Sequence, residues 1–247
     1  MLEFSTKESQ MIHGDALNLL PKLPKSSVRL LLTDPPYNVS RKNNLQSMNR
    51  KGVSFGNWDV GFDQLEWITL AEPSLMPGAS IIIWNDWKNL GSIANFLESI
   101  KIIPKRMLTL VKSNPFPRNL SRSFVQATEH ALWAVKAGDK WVFNKSKDKG
   151  YENGVFRAPV QKASHPTKKS DALFEEIISI LSNENDLILD PFVGGGTTAY
   201  AAEKLNRKHI SFEKDNSYYR EAVRHWNGAK IEGSIGKIDG SNPKETT

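Results

Sequence analysis

The stretch Thr33-Asp34-Pro35-Pro36-Tyr37 places a carboxylate, two prolines and an aromatic ring at the end of an apolar run. Residues 28–32 are apolar except for Arg29, which predicts a short buried strand that ends here. Proline fixes φ, lacks an N–H and pushes the preceding residue out of the helical region. We therefore expect an extended loop whose backbone carbonyls no local helix uses. Its acceptors and aromatic face suit a planar group with an NH2 on its edge, such as adenine or cytosine. An ordinary strand-ending turn is the alternative.

A second strand end is followed by glycines. Residues 187–198 read Leu-Ile-Leu-Asp-Pro-Phe-Val-Gly-Gly-Gly-Thr-Thr, which predicts a strand, a glycine turn and a helix that starts at Thr197. Glycine permits positive φ and close approach to a ligand, and a helix start offers free N–H groups. Glu213 follows Asp190 by 23 residues (213 − 190), a spacing at which an acid can hydrogen-bond ribose hydroxyls. Because the dinucleotide glycine spacing and a Walker lysine are missing, the pattern predicts a generic nucleoside pocket, with a tight structural turn as the alternative.

The alternation of strands and helices predicts an α/β fold with a mostly parallel, doubly wound sheet. In such sheets ligands bind beyond the carboxyl ends of the strands. Four predicted strands end in an acid, namely Asp15, Asp34, Asp190 and Glu213. Packing alone does not explain this coincidence. We therefore expect one site at this edge of the sheet, with residues 34–37 beside residues 194–196.

Three segments carry more local predictions. Residues 38–57 are polar, basic and without periodicity, which favours a loop that closes over a site. Residues 129–135 and 140–143 both have strand patterns, and the short link with Gly138 between them predicts an antiparallel pair. The last helix is expected over residues 216–226, followed by a disordered tail from 228 to 247 that is rich in Gly, Ser and Lys.

The composition excludes several chemistries. The chain has 247 residues and no cysteine, so it has no disulfide, no thiolate metal site and no cysteine nucleophile. The last exclusion removes the covalent route by which cytosine is methylated on a ring carbon. Five histidines show no paired metal spacing, so no metal is predicted. No apolar run approaches the roughly 18 residues of a membrane span, and the first residues lack a secretory pattern, so we expect a cytoplasmic protein without a membrane partner.

The positive charge is unevenly distributed. The net charge is +6, yet residues 101–149 alone hold eleven Lys or Arg and three acids, which gives 11 − 3 = +8. Residues 38–58 add four cations and no acid. Basic segments interleaved with Asn, Ser and aromatic residues suit a partner lined with phosphates. A solvated basic face is the alternative.

With both motifs described, the chain resembles the β-class DNA amino-methyltransferases that use S-adenosylmethionine, including the small adenine-modifying enzymes of bacterial restriction–modification systems. Asp34-Pro35-Pro36-Tyr37 matches the catalytic tetrapeptide of that family. Residues 190–198 match its cofactor loop, although the family more often has Ser where Gly195 stands, and residues 165–170 (His-Pro-Thr-Lys-Lys-Ser) match the segment before it. The resemblance runs from about Met11 to Trp226, and the catalytic motif precedes the cofactor motif, which is the order that defines the class.

The resemblance implies a Rossmann-like methyltransferase fold with circularly permuted motifs and S-adenosyl-L-methionine as cofactor. It implies that Lys168 meets the methionine carboxylate, that Asp15 and Glu213 bind the adenosine moiety and that Phe192 packs on its ring. The cofactor-binding residues expected from it are Asp15, His165, Thr167, Lys168, Asp190, Pro191, Phe192, Gly194, Gly195, Gly196, Thr197, Thr198 and Glu213.

The implied reaction is methyl transfer to the exocyclic N6 amine of adenine, with Asp34, Pro35, Pro36 and Tyr37 as the catalytic residues. The Asp34 carboxylate and the Pro35 carbonyl would accept hydrogen bonds from the two N–H groups of the amine, which would free its lone pair. A base inside a duplex cannot reach such a loop, so it must flip out, with Tyr37 stacking on it.

The implied partner is DNA, single- or double-stranded. The expected contacts come mostly from a basic insert at about 113–162 within a single domain of residues 1–227. Five residues are candidates for DNA binding: Arg41, Lys42, Arg118, Asn119 and Arg122. The family resemblance also brings in a cognate restriction endonuclease, which need not bind physically, and is compatible with a homodimer.

Three alternatives remain open at this stage. The same chemistry could act on the N4 amine of cytosine, although the family's cytosine enzymes more often carry Ser where Asp34 stands. A non-catalytic nucleic-acid-binding module on the same scaffold is a second alternative, which the four intact acids disfavour. Methylation of RNA or of protein amides is a third, and such relatives tend to have Asn in place of Asp34.

Overall fold

The computed structural model describes residues 4–37, 62–115, 121–122, 124–146, 148–159 and 169–238. Within these ranges the chain forms eight strands: β1 (Gln10–His13), β2 (Val28–Thr33), β3 (Leu75–Asn85), β4 (Ile102–Lys112), β5 (Thr128–Lys136), β6 (Val155–Ala158), β7 (Leu187–Asp190) and β8 (Lys208–Glu213). The helices are α1 (Ala16–Leu19), α2 (Glu66–Ala71), α3 (Trp87–Ser99), α4 (Asp171–Leu181), α5 (Thr197–Lys204) and α6 (Asn216–Ile238).

The strands form one sheet in the order β1-β8-β7-β2-β3-β5-β4-β6. β5 runs antiparallel to both of its neighbours, and the other strand pairs are parallel. The mostly parallel, doubly wound α/β fold is therefore confirmed. One edge, which we call the carboxyl edge, collects the ends of seven strands together with the beginning of β5.

Helices cover both faces of the sheet. Along β2, Leu31 packs into one core with α1, α2 and α3, whereas Leu30 and Leu32 pack into a second core with α4 and α5. A strand that is buried on both faces needs a continuous apolar run rather than an alternating one, which explains the sequence of β2. A third, smaller cluster joins β1 to α5 and α6 through Met11 and Ala222.

The prediction of a strand at residues 140–143 is wrong. Both edges of β5 are already hydrogen-bonded to β3 and β4, so no edge remains for a hairpin partner. The segment instead crosses a face of the sheet, where the rings of Trp141 and Phe143 lie 6.4 and 5.7 Å from that of Trp133. The Asn144 side chain then donates to the Ser182 carbonyl oxygen at 2.9 Å, which fixes the segment to the end of α4.

The chain is ordered beyond the end predicted for the last helix. α6 continues to Ile238, so residues 228–238 are helical rather than part of a disordered tail. Ala229 is only 2% exposed, and this burial offsets the low helix propensity of the neighbouring Gly228. None of the helices within the described ranges combines the length and apolarity needed to cross a membrane.

Asp190 ties the two motifs of the carboxyl edge together. Its carboxylate accepts hydrogen bonds from the Thr33 hydroxyl at 2.7 Å, from the Thr198 hydroxyl at 2.5 Å and from the Phe192 N–H at 3.1 Å. It therefore joins the ends of β2 and β7 and the start of α5. Burial outweighs these bonds and raises the pKa of Asp190 to about 6.

Gly196 sits at the N-cap of α5 with φ of +85°. A Cβ atom at this position would lie 2.8 Å from the Ala222 Cα and 2.9 Å from its carbonyl oxygen. Glycine is thus required here by the left-handed backbone and by the contact between α5 and α6.

We expect Gly196→Ala to destabilise the protein by about 2 kcal/mol or more, because it adds left-handed strain to a backbone clash. Gly228→Ala is the matched control, since a Cβ there meets nothing within 4 Å. The control should leave stability unchanged or raise it by up to about 1 kcal/mol through helix propensity. Urea unfolding followed by circular dichroism measures both changes, and equal midpoints for the two variants would contradict the assignment.

The buried Asp190 carboxyl makes stability depend on pH. Its native pKa of about 6 exceeds its unfolded value, so the native state binds more protons and stability falls as pH rises between these values. The expected loss is on the order of 3 kcal/mol between about pH 4 and pH 6. Asp190→Asn should lack it, so the free energy of unfolding of the variant should rise relative to wild type over this range. Urea titrations at four pH values test this, and parallel profiles would refute it.

Candidate active site

The two motifs predicted to meet at the carboxyl edge do meet there. β2 pairs in parallel with β7, with Leu31 opposite Leu189, so the loops that follow these strands are neighbours. Thr33 and Asp190 are hydrogen-bonded across this junction. The adjacency predicted from residues far apart in the sequence is confirmed.

The Asp34 carboxylate is held on both oxygens. The Tyr37 hydroxyl donates to Oδ1, and the Lys169 ammonium donates to Oδ2 at 2.5 Å. Burial, followed by the charge of Asp34, raises the pKa of Tyr37 well above its usual value, so this hydroxyl stays protonated. In this structure the ammonium of a lysine occupies the acceptor that an incoming amine would use.

Lys169 belongs to a buried chain of charges. Its side chain is 8% exposed, and Nζ also lies 3.1 Å from Glu129 Oε2, while the other oxygen of Glu129 is 2.7 Å from Lys112 Nζ. Burial alone would lower the pKa of Lys169, but Asp34, Tyr37 and Glu129 outweigh it and raise the pKa well above the usual value. Burial alone would raise the pKa of Glu129, but Lys169 and Lys112 outweigh it and lower the pKa to about 2. Lys169 and Glu129 are therefore both charged at neutral pH.

The sequence analysis missed Lys169, Glu129 and Lys112 as site residues. Glu129 lies at the beginning of β5, and because this strand is reversed, its beginning lies at the carboxyl edge. Lys112 ends the neighbouring β4, and Lys169 immediately precedes Ser170, the N-cap residue of α4. One sequence signal could have pointed to Glu129: it is an acid at the start of a strand that was predicted to pair antiparallel with residues 140–143.

Three side-chain amides hold the backbone of the Asp34 loop. Gln64 Nε2 donates to the Pro36 carbonyl at 2.5 Å, and Asn89 Nδ2 donates to the Tyr37 carbonyl at 2.9 Å. Asn85 connects the two amides, because it donates to Gln64 Oε1 and accepts from Asn89 Nδ2, both at 2.8 Å. No donor in the described part of the chain reaches the carbonyl oxygen of Pro35. The network thus fixes the loop and leaves this one acceptor available.

Two acids, Asp15 and Glu213, lie at or just beyond the ends of the neighbouring strands β1 and β8. Glu213 accepts from the Gly194 N–H at 2.9 Å, and burial raises its pKa. Asp15 caps α1 by accepting from the Leu17 N–H at 3.0 Å, and its second oxygen lies 2.8 Å from Lys214 Nζ. Both carboxylates keep lone pairs that could accept bonds from hydroxyl or amino groups of a nucleoside.

Phe192 provides an apolar wall beside these acids. Its ring meets Phe62 and Trp67 edge to face, with centroids 5.3 and 5.4 Å away. By contrast, Asp190, Thr197 and Thr198 are buried. The carboxylate of Asp190 holds the loop together through three internal hydrogen bonds, and its contact with a cofactor stays a prediction.

Several predicted site residues lie outside the described ranges, together with the loop at 38–57 that was predicted to close over the site: Arg41, Lys42, Arg118, Asn119, His165, Thr167 and Lys168. Arg122 is described and exposed. Across the described residues no group of three or more His, Asp or Glu side chains is arranged to hold a metal ion.

Comparison with known proteins places this geometry in a family. The family model described as DNA methylase matches residues 28–224. The type II methyltransferase M2.LlaDCHI of Lactococcus lactis subsp. cremoris is 31% identical over 245 residues, which cover 91% of both chains. M2.DpnII of Streptococcus pneumoniae, also a type II methyltransferase, is 31% identical over 233 residues, with 86% of this chain and 87% of the relative covered.

Solved structures agree with this assignment. The M1.HpyAVI–SAM complex is 37% identical, with a TM-score of 0.71 over 88% of this chain and 98% of that chain. The cytosine-N4-specific PvuII DNA methyltransferase is 18% identical, with a TM-score of 0.70 over 91% and 89% of the two chains, and shows that the fold is shared. The chain belongs to the DNA methylase family.

Proposed function

We propose that this protein transfers a methyl group from S-adenosylmethionine to the N6 amine of an adenine in DNA. The observation that carries the proposal is the position of Asp34. Its carboxylate stands at the end of β2, beside the glycine turn that follows β7, and the next residue presents a backbone carbonyl with no donor in the described region. A carboxylate and a carbonyl on one stiff loop provide two acceptors for the two N–H bonds of an exocyclic amine.

The residues around the turn fit the proposed cofactor. Asp15 and Glu213 offer acceptors for the amino and hydroxyl groups of adenosine, and Phe192 offers an aromatic surface for its base. The glycine turn permits close approach of the backbone at Gly194. When bound, S-adenosylmethionine supplies an electrophilic methyl group on a sulfonium sulfur. M1.HpyAVI, whose complex with SAM is solved, supports this choice.

In the proposed reaction, Asp34 and the Pro35 carbonyl accept hydrogen bonds from the two N–H groups of the amine. These bonds withdraw the lone pair of the nitrogen from the ring. This nitrogen forms the bond to the methyl carbon, while the bond between carbon and sulfur breaks and its electrons remain on sulfur. One proton then leaves the nitrogen through the carboxylate to which it is bonded. Orientation and the negative charge of Asp34 lower the barrier, and no covalent enzyme intermediate forms.

The base must leave the duplex to reach this loop. In the proposed complex the ring of Tyr37 stacks on the flipped base. DNA is contacted by the basic insert at about 113–162 and by five residues: Arg41, Lys42, Arg118, Asn119 and Arg122. Within that insert, Arg122 is exposed, as a phosphate contact requires.

Adenine is favoured over cytosine because the residue at position 34 is Asp, where cytosine enzymes of the class more often have Ser. The same fold serves a cytosine-N4 enzyme, so the fold itself does not distinguish the two bases. A non-catalytic module is the other alternative. The complete set of oriented groups around Asp34 argues against it, because a scaffold has no need of them.

We extend the proposal to the setting of the enzyme. The curated relatives are named as type II methyltransferases, which supports a role beside a restriction endonuclease that cuts the same DNA sequence. Methylation of cellular DNA would then take place in the bacterial cytoplasm. A single catalytic domain with one basic insert, acting alone or as a homodimer, is the proposed organisation.

Nucleoside analysis tests the substrate directly. Purified protein is incubated with S-adenosylmethionine and unmethylated DNA, and the DNA is then digested and analysed by mass spectrometry. We expect N6-methyladenine and no N4-methylcytosine, because residue 34 is Asp, where cytosine enzymes of the class more often have Ser. N4-methylcytosine as the product would establish the cytosine alternative, and the absence of both would favour a non-catalytic module.

Replacing the proposed catalytic carboxylate should separate chemistry from cofactor binding. Asp34→Ala should lower the rate of methyl transfer by more than about a hundredfold, since it removes an electrostatic group that acts in the transition state. The Kd for S-adenosylmethionine, measured by calorimetry, should change little. Asp139→Ala is the control, because this exposed carboxylate follows β5 at the opposite edge of the sheet. Normal turnover by Asp34→Ala would exclude the proposed mechanism.

A further inference from the structure

Building on the proposed function, we propose that Lys169 is a mobile positioning residue whose ammonium holds Asp34 in the base-free enzyme and shifts to Glu129 when the target amine arrives. Lys169 Nζ lies 2.5 Å from Asp34 Oδ2 and 3.1 Å from Glu129 Oε2, so it is already shared between two carboxylates. The movement therefore needs only a small displacement of one buried group.

The target amine and Lys169 compete for the same acceptor. Asp34 Oδ1 receives the Tyr37 hydroxyl, and Oδ2 receives the Lys169 ammonium. An amine that approaches Asp34 must share or replace one of these donors. In addition, the attacking nitrogen gains positive charge during the reaction, and an ammonium on the same carboxylate would oppose that gain. Withdrawal of Lys169 would expose the negative charge of Asp34 at the point where it is needed.

Glu129 is prepared to receive the ammonium. Its Oε2 atom is buried, and the Lys169 ammonium, 3.1 Å away, is the charged group that contacts it. Its Oε1 atom is held 2.7 Å from Lys112 Nζ, which fixes the orientation of the carboxylate. The lowered pKa of Glu129, about 2, keeps it ionised throughout the working range. Lys169 thus has a second anionic partner in place before any base enters.

A purely structural ion pair would behave differently. Removing one partner of a buried pair leaves an uncompensated charge and removing the second partner relieves it, so in a purely structural pair the unfolding midpoint and kcat would fall and recover together. The proposed shift predicts changes in kcat that the unfolding midpoint does not follow. Glu129→Gln deprives Lys169 of its alternative partner and leaves it on Asp34, whereas adding Lys169→Met removes the obstruction.

The decisive measurement is a double-mutant cycle on kcat for DNA methylation. Glu129→Gln should lower kcat by about tenfold or more, and Glu129→Gln/Lys169→Met should be severalfold faster than Glu129→Gln alone. The KM for S-adenosylmethionine should remain within about twofold in each variant. Lys136→Met is the matched control, because Lys136 is similarly ion-paired, 2.7 Å from Glu72, but lies at the other end of β5. A double variant no faster than Glu129→Gln would overturn the proposal.

The pH profile supplies an independent readout. Asp34 faces Tyr37 on its own loop, Lys169 before α4, Glu129 on β5, Lys112 beyond Glu129 on β4, and Asp190 at the end of β7. Lys169 is the cation that contacts it directly. Lys169→Met removes this cation, so activity should fall at a higher pH on the acid side than in wild type. Lys169→Arg retains the charge and should keep the wild-type acid limb. Identical profiles for Met and Arg would contradict the assignment.

Two further measurements keep the outcome unambiguous. If Lys169→Met fails to bind S-adenosylmethionine while Lys136→Met binds it, the test passes to Glu129→Gln, whose unchanged kcat would overturn the proposal. If the wild-type protein methylates no DNA, the proposed function fails. The Asp34 carboxyl signal is then recorded by carbon-13 NMR, with Asp34→Asn identifying it. A signal that is displaced by Lys169→Met and not by Lys136→Met supports the contact between the two groups, and an unmoved signal overturns it.

Discussion

The site depends on one buried carboxylate that connects two motifs distant in the sequence. Asp190 accepts hydrogen bonds from Thr33 at the end of β2 and from Thr198 at the start of α5. A carboxyl group is costly to bury, and it is retained where several donors satisfy it together. Here those donors belong to three different elements. Loss of the carboxylate would free the loops after β2 and β7 to move independently, and a group-transfer reaction depends on their relative position.

Four charged side chains lie together beside this junction, and the reversed direction of β5 makes their contact possible. In an all-parallel sheet only strand ends reach the carboxyl edge. Because β5 runs backwards, its first residues arrive there as well and bring Glu129 to the side of Asp34 away from Asp190. Asp34, Glu129, Lys169 and Lys112 then balance each other's formal charges within the protein. The carboxylate of Asp34 is thereby oriented by two donors in a partly buried environment, where an unpaired charge would be disfavoured.

Much of this arrangement could be predicted from the sequence, for reasons that are local. The apolar run at 28–32 and the two prolines predict where β2 ends, and the three glycines predict the turn after β7, because these residue types restrict the backbone directly. Ligand binding beyond parallel strand ends then brings the two loops together. The segment at 140–143 was misassigned because its strand-like pattern arises from Trp141 and Phe143 packing on Trp133, not from strand pairing.

The remaining parts could not be predicted, because they depend on long-range pairing. The sequence does not single out Lys169 from the lysine before it, because the direction of the Lys169 side chain is set by its place one residue before the N-cap of α4. No sequence pattern marks the three amides of Gln64, Asn85 and Asn89. They come together only because α3 and the end of β3 pack against the Asp34 loop. The hydrogen bonds by which Asp190 holds the loop together depend on its burial, which one strand end does not reveal.

The pairing of β1 with β8 has a consequence for how the protein is made. These strands are adjacent in the sheet although most of the chain separates them, and the Gly14 N–H donates to the Glu213 carbonyl at 2.8 Å. The nucleoside side of the site is therefore assembled from an early and a late piece of the chain. During synthesis on the ribosome, the Asp34 loop emerges long before β8 can complete the pocket beside it. A nascent chain can thus present the Asp34 loop before the strand that completes the pocket exists, so competence for methylation is gained only after β8 has emerged.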